Sequence, residues 1–120
     1  MKHYMHLKEK PFLSIWEGNK TIELRLYDEK RRNVKVGDQI EFDNLSNSGQ
    51  LIIVNVIAVY VFESFAKLYE KLPLQKCGYA PDEVQVTSAS DMNEYYSTEQ
   101  QRENGVVGIE FEIVEKMIGG

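Results

Sequence analysis

The run "LIIVNVIAVYVF", Leu51 to Phe62, constrains the fold more than any other part of the chain. It is twelve residues of mostly β-branched and aliphatic side chains, broken by Asn55. A bilayer span needs roughly 20 apolar residues, so the run is too short to cross a membrane as a helix. It is also too uniform for a strand with one face in water, because such strands alternate apolar and polar residues. The run therefore reads as a long strand buried on both faces, and the rest of the chain must cover it.

Enough apolar material is present to do so. The 120 residues are 42% hydrophobic and 28% charged, which fits one compact domain spanning 1–120 with one core. The opening "MKHYMHLKEK" has no apolar signal core, so nothing points to export. Cys77 is the one cysteine, which excludes an internal disulfide and a Cys-rich zinc site and fits a reducing, cytoplasmic setting. His3 and His6 are too few for a typical zinc enzyme and fall on opposite faces of one strand. Neither a metal nor a cofactor is expected. Cys77, with no histidine near it in sequence, reads as structural.

The net charge of −5 is unevenly spread: residues 1–36 carry +4 and residues 37–120 carry −9. That distribution argues against nonspecific duplex binding over a broad surface, which needs many cationic contacts. It permits a local anion-binding patch in the first third.

Periodicity places the elements. Residues 3–9 alternate and predict a strand with His3, Met5 and Leu7 on one side. Pro11 opens a short helix that puts Phe12, Ile15 and Trp16 on one face and stops at Gly18 or Asn19. "KTIELRLYD" is a strand with Ile22, Leu24 and Leu26 facing one way and Thr21, Glu23, Arg25 and Tyr27 the other. After a charged turn, Ile40 and Phe42 mark another strand, and "LSNSGQ" has the composition of a hairpin loop. Ser64 caps an amphipathic helix that Pro73 ends, and residues 73–85 read as a loop. Residues 87–105 read as two helical pieces broken near Tyr96-Ser97, with Ser97 capping the second or Thr98 and Gln101 forming a box-like start. The last strand points Val107, Ile109, Phe111 and Ile113 inward, and "KMIGG" is a frayed tail. About five strands with three or four short helices, and no long crossover helices, favour an α+β, mixed or antiparallel small barrel with helices on its flanks.

The charged strand bears most on function. Glu23 and Arg25 share a face by period two, and Lys20 follows a turn at Gly18-Asn19 that lets it reach the same space. On an ordinary solvated strand the pair would be worth about 0–1 kcal/mol. In a cleft, each group would set the protonation of the others.

"GNKTIELRL" is similar to the GxKxxExR motif of the ASCH domain superfamily, with Gly18, Lys20, Glu23 and Arg25 in register. The "GDQIEF" strand opening and the ending "YYSTEQQRENGVVGIEFE" resemble the same family, so the resemblance covers nearly the whole chain. It implies a PUA-like β-barrel whose motif residues line a cleft for single-stranded RNA or a modified nucleoside or nucleotide. Lys20 and Arg25 would donate to phosphate or base acceptors, and Glu23 would orient Arg25 or accept from a base amino group. Trp16, Tyr27 or Tyr69 would stack on a base, with Arg31, Arg32, Lys30 and Lys35 as phosphate-steering cations.

The resemblance also implies an alternative. Some small ASCH proteins resemble amidohydrolases that deacylate N4-acetylcytidine with a lysine, a threonine three residues later and a distant glutamate. As an enzyme of that kind, the chain would use Lys20 and Glu23, with Glu63 or Glu70 as the distant acid. Glu23 stands where the threonine is expected, and a carboxylate does not replace a hydroxyl nucleophile in direct acyl transfer. Thr21 is adjacent but shares the face of Glu23. Asp91, Glu94 and Tyr95 lie on a helix that would close over the cleft.

Overall fold

The computed structural model describes residues 1–84 and 87–118. Five strands form one sheet: β1 (Lys2–Leu7), β2 (Ile22–Leu26), β3 (Gln39–Asn44), β4 (Asn47–Phe62) and β5 (Val106–Ile118). Their spatial order is β1-β3-β4-β5-β2, so β1 and β2 are the two edges. Only β1 and β3 run parallel; the other neighbours are antiparallel. The sheet is curled into a half-barrel with short helices around it, a mixed α+β architecture.

The long apolar run lies within β4, at the centre of the sheet, where both of its edges are paired. Ile52, Val54 and Val56 have essentially no exposure and fill the concave side with Ile40, Phe42, Ile109 and Phe111. Helix α1 (Glu9–Trp16) plugs one mouth with Phe12 and Ile15, both fully buried. It begins two residues before Pro11, which therefore sits in the first turn, where a missing N–H costs nothing.

The flanking layer is built from α3 (Phe65–Lys71), which follows the four-residue α2 (Glu29–Arg32), and from the 3₁₀ turns Leu74–Cys77 and Ala89–Glu94. It also holds α4 (Pro81–Val84) and α5 (Thr98–Asn104). Ser64 caps α3 by accepting from the Lys67 N–H, and Ser97 caps α5 in a reciprocal box with Gln100. This layer covers the outer face of β2: Ile22, Leu24 and Leu26 pack with Phe65, Leu68, Cys77 and Met92 in a second apolar cluster. Strand β2 thus has both faces covered.

Several expectations shift. The run Leu51 to Phe62 is not covered on both faces: Ile57 is 45% and Val61 48% exposed, because the helical layer does not reach over this part of the sheet's outer face. "LSNSGQ" is mostly strand: β4 starts at Asn47, because Asn44 accepts from the Ser46 N–H and donates to Gln50, so polar side chains stabilise a tight turn. The segment 73–85 contains a 3₁₀ turn and α4, with Gln85 outside the described residues. The first helical piece of 87–105 is 3₁₀. Strand β5 extends to Ile118, with Gly119 and Gly120 outside the described residues. Ile113 lies opposite the buried Val54, on the face of Phe111, yet is 36% exposed, so the inward face of β5 is covered only as far as Phe111.

Gly108 sets the distance between layers. A Cβ there would lie 2.6 Å from Leu72 Cδ1 and 3.3 Å from Ile22 Cγ2. Gly108→Ala should overpack this contact and destabilise the protein by about 1–3 kcal/mol, read from urea denaturation.

Candidate functional site

The backbone brings the charged strand face to the inside of the half-barrel. Glu23 is directly opposite Ile109 and Arg25 opposite Val107, and paired residues share a face, so both point toward the core side. Glu23 is only 3% exposed. Its Oε1 lies 2.8 Å from Lys20 Nζ, and its Oε2 accepts from Arg25 Nε at 3.0 Å and Nη2 at 2.9 Å. Burial opposes the charge on Glu23, but Lys20 and Arg25 outweigh it, and the carboxyl is held below its usual range.

Each cation is positioned by a different element. Lys20 follows the end of α1: Gly18 adopts φ +85°, and the Lys20 N–H donates to the Ser14 carbonyl. Its stem runs along Gly78, whose φ is +102° and where a Cβ would sit 3.1 Å from Lys20 Cδ. Arg25 reaches across the seam between the sheet edges, with Nη2 donating to the His6 carbonyl of β1 at 3.0 Å. Lys30 Nζ does the same for the Tyr4 carbonyl at 2.7 Å.

Above this triad, in the seam between β1 and β2, is a cleft of about 470 Å³. Leu7, Lys8, Lys10 and Ser14 line one side. Cys77, Gly78, Tyr79, Met92, Tyr95 and Tyr96 line the other. Tyr95 is 60% exposed. Tyr96 stacks on Phe65 at 5.9 Å between centroids, and Tyr79 bonds through its hydroxyl to Tyr69. Burial pushes the Cys77 thiol up to about 11, so it stays protonated and inert.

The expected residues distribute unevenly. Lys20, Glu23 and Arg25 meet in the cleft. Gly18 shapes the turn before Lys20 without lining the cleft. Arg31 and Arg32 do not line it: Arg31 bonds Asp28 at 3.1 Å, and Arg32 lies over Tyr27 at 4.5 Å and donates to the Asn104 carbonyl. Trp16 and Tyr27 pack on the core cluster. Tyr69 stands behind Tyr79, outside the lining. Glu63 faces a separate surface groove, Glu70 pairs with Lys67 at 3.9 Å, and neither they nor Asp91 and Glu94 line the cleft. His3 is buried against Asp38 at 2.8 Å and His6 is exposed beside Asp43, on opposite faces of β1. Among the described residues no three His, Cys, Asp or Glu side chains are grouped to hold a metal. No helix among them is long and apolar enough to cross a membrane.

Periodicity alone did not single out Lys8, Lys10, Gly78, Tyr79 and Tyr96. They lie on elements far apart in sequence and converge only at the seam. For Tyr96 the signal in the sequence is the adjacent pair "YY" before the Ser97 cap.

A curled half-barrel with a charged, aromatic-lined seam defines a PUA-like domain. The chain belongs to the ASCH domain family, whose profile matches residues 5–115. That family has a PUA-like fold and is often linked to RNA binding. The crystal structure of hypothetical protein PH0355 is similar, with 34% identity over 95% of this chain and 100% of that one, and a TM-score of 0.78. The solution structure of PF0455 from Pyrococcus furiosus shares 36% identity over 96% of this chain and 99% of that one, with a TM-score of 0.69. ASCH from Zymomonas mobilis shares the fold at 11% identity, with a TM-score of 0.59 over 96% of this chain and 71% of that one. No curated protein matches the chain.

The triad makes two predictions. Glu23→Gln leaves the buried Lys20 and the half-buried Arg25 without their counter-charge and should cost about 3–5 kcal/mol in urea denaturation. The second concerns acid. Glu23 titrates below its ordinary 4.5, and Asp38, bonded by His3 and the Lys35 N–H, drops from 3.8 to about 2. Both folded-state values lie below the unfolded ones, so their stabilisation is full above pH 4.5 and is lost as pH falls through the lowered values, toward 2 for Asp38. Stability measured from pH 7 to 2 should decline in that window, with a shallower decline in Glu23→Gln.

Proposed function

We propose that the seam cleft binds single-stranded RNA or a nucleotide. The observation that carries this reading is the buried Lys20–Glu23–Arg25 triad set beneath an exposed aromatic, Tyr95. Two cations and one carboxylate leave a net charge of +1 in a partly desolvated place, and Lys8 and Lys10 add positive charge at the rim. Such a place attracts anions. Tyr95 offers a ring to a base, with Lys8 Nζ 5.8 Å from its centroid. Family membership supports the same class of ligand. The acidic remainder of the chain confines attraction to this region and disfavours a broad duplex footprint.

Binding of a short single-stranded RNA, followed by fluorescence anisotropy, should weaken as salt rises, with a log–log slope of about −0.7 per phosphate contacted. Tyr95→Ala should cost about 1–3 kcal/mol of that binding if the ring stacks on one base. Salt-independent binding, or binding indifferent to Tyr95→Ala, would place the ligand elsewhere. Robust release of cytidine from N4-acetylcytidine, abolished by Lys20→Ala, would favour the amidohydrolase instead.

A further inference from the structure

Resting on the nucleic-acid reading of the cleft, we infer that its floor is a phosphate subsite that takes the backbone of the strand, and that the bases stay above it on Tyr95. The argument is an inventory of donors and acceptors. Among the described residues, Glu23 is the one carboxylate lining the cleft. Both of its oxygens are engaged, Oε1 by Lys20 and Oε2 twice by Arg25, and its side chain is 4% exposed. It has no accessible lone pair for the amino group of a base. The cations are in the opposite position. A lysine ammonium carries three donors and a guanidinium five. Lys20 directs one at Glu23, and Arg25 uses Nε and Nη2, leaving Nη1 uncommitted.

The charged floor of Lys20, Glu23 and Arg25 therefore presents donors and positive charge and no free carboxylate oxygen. The matching ligand group is one that only accepts and bears a negative charge. A base edge that mixes donors and acceptors would leave its amino group unsatisfied there. A phosphodiester has two charged oxygens and a single negative charge, equal and opposite to the net charge of the triad. Arg25 is held rigidly for this task because His6 and Glu23 fix Nη2 from two sides. Recognition through the backbone gives affinity with little base preference.

The test compares ligands on the unaltered protein, so folding of variants does not decide it. Three strands of equal length are titrated by NMR, with the Arg25 Nε–H signal as the local readout: an RNA, an abasic ribose-phosphate strand, and a strand with neutral methylphosphonate links. Inorganic pyrophosphate is the fourth probe. The abasic strand should still shift the Arg25 signal, and should bind about 5- to 150-fold more weakly than the RNA, the share of one stacked base. The methylphosphonate strand should lose about tenfold or more, the share of a charge-assisted bond. If the methylphosphonate strand binds as tightly as RNA, the phosphate subsite is wrong and the nucleic-acid reading survives. If pyrophosphate shifts Arg25 but no strand binds, the subsite stands and the nucleic-acid reading falls. If no probe shifts Arg25, both are wrong. Lys20→Gln gives an independent check: it should weaken the RNA and abasic strands by the same factor, whereas a loss confined to the RNA overturns the assignment.

Discussion

A carboxylate caught between two cations inside a sheet is the constraint on which this molecule turns. Glu23 by itself would be intolerable at its depth, and Lys20 and Arg25 would repel each other without it. Holding all three together requires the end of α1 to deliver Lys20, strand β2 to deliver Glu23 and Arg25, and the edge carbonyl of β1 to anchor Arg25. The triad thus ties three separate elements across the one place where the half-barrel does not close by backbone pairing. The carbonyls of Tyr4 and His6 on edge strand β1, which lack a neighbouring strand on that side, are satisfied by Lys30 and Arg25 instead. Charge here substitutes for a missing strand, and a gap bridged by side chains leaves room for a ligand where a sixth strand would not.

What could be read before any coordinates follows from how locally each feature is encoded. The existence of strand β4, the caps at Ser64 and Ser97, and the paired face of Glu23 and Arg25 depend on near neighbours in sequence and stand as expected, whereas the start of β4 and the exposure of its outer face do not. The depth of Glu23 was not legible from the strand alone. Alternation shows that two residues share a face but not that a helical layer covers the other face and a neighbouring strand closes this one. The same limit applies to Arg31 and Arg32. Their cluster of charge suggested steering toward the ligand, whereas Asp28 and Tyr27, both nearby in the chain, engage them away from the cleft. Tyr95, Tyr96 and Tyr79 reach the seam through 3₁₀ turns and short connections, whose direction periodicity does not encode. Ile113 shares the inward face of Phe111 as alternation expects, but alternation does not tell how far along a strand the covering layer reaches.

The two apolar clusters divide the labour of the fold. The concave cluster, centred on Ile52, Val54, Ile109 and Phe42, holds the sheet in its curl. The convex cluster, centred on Phe65, Leu68 and Leu24, fixes the helical layer that carries one wall of the cleft. Strand β2 contributes its apolar side chains to the second cluster only, and turns Glu23 and Arg25 to its other face. A change in how the layer seats on the sheet is therefore felt at the wall bearing Tyr96, which stacks on Phe65.

Strand β2 has one neighbour in the sheet, β5, and that pairing joins segments far apart in the chain. During synthesis Glu23 and Arg25 emerge early, while Val107 and Ile109, the residues that will lie opposite them, emerge much later. Until then the charged strand has no ladder to join. A loop of that length must close before the pairing rewards it. The cleft is consequently among the last parts of the fold to be assembled as the chain leaves the ribosome.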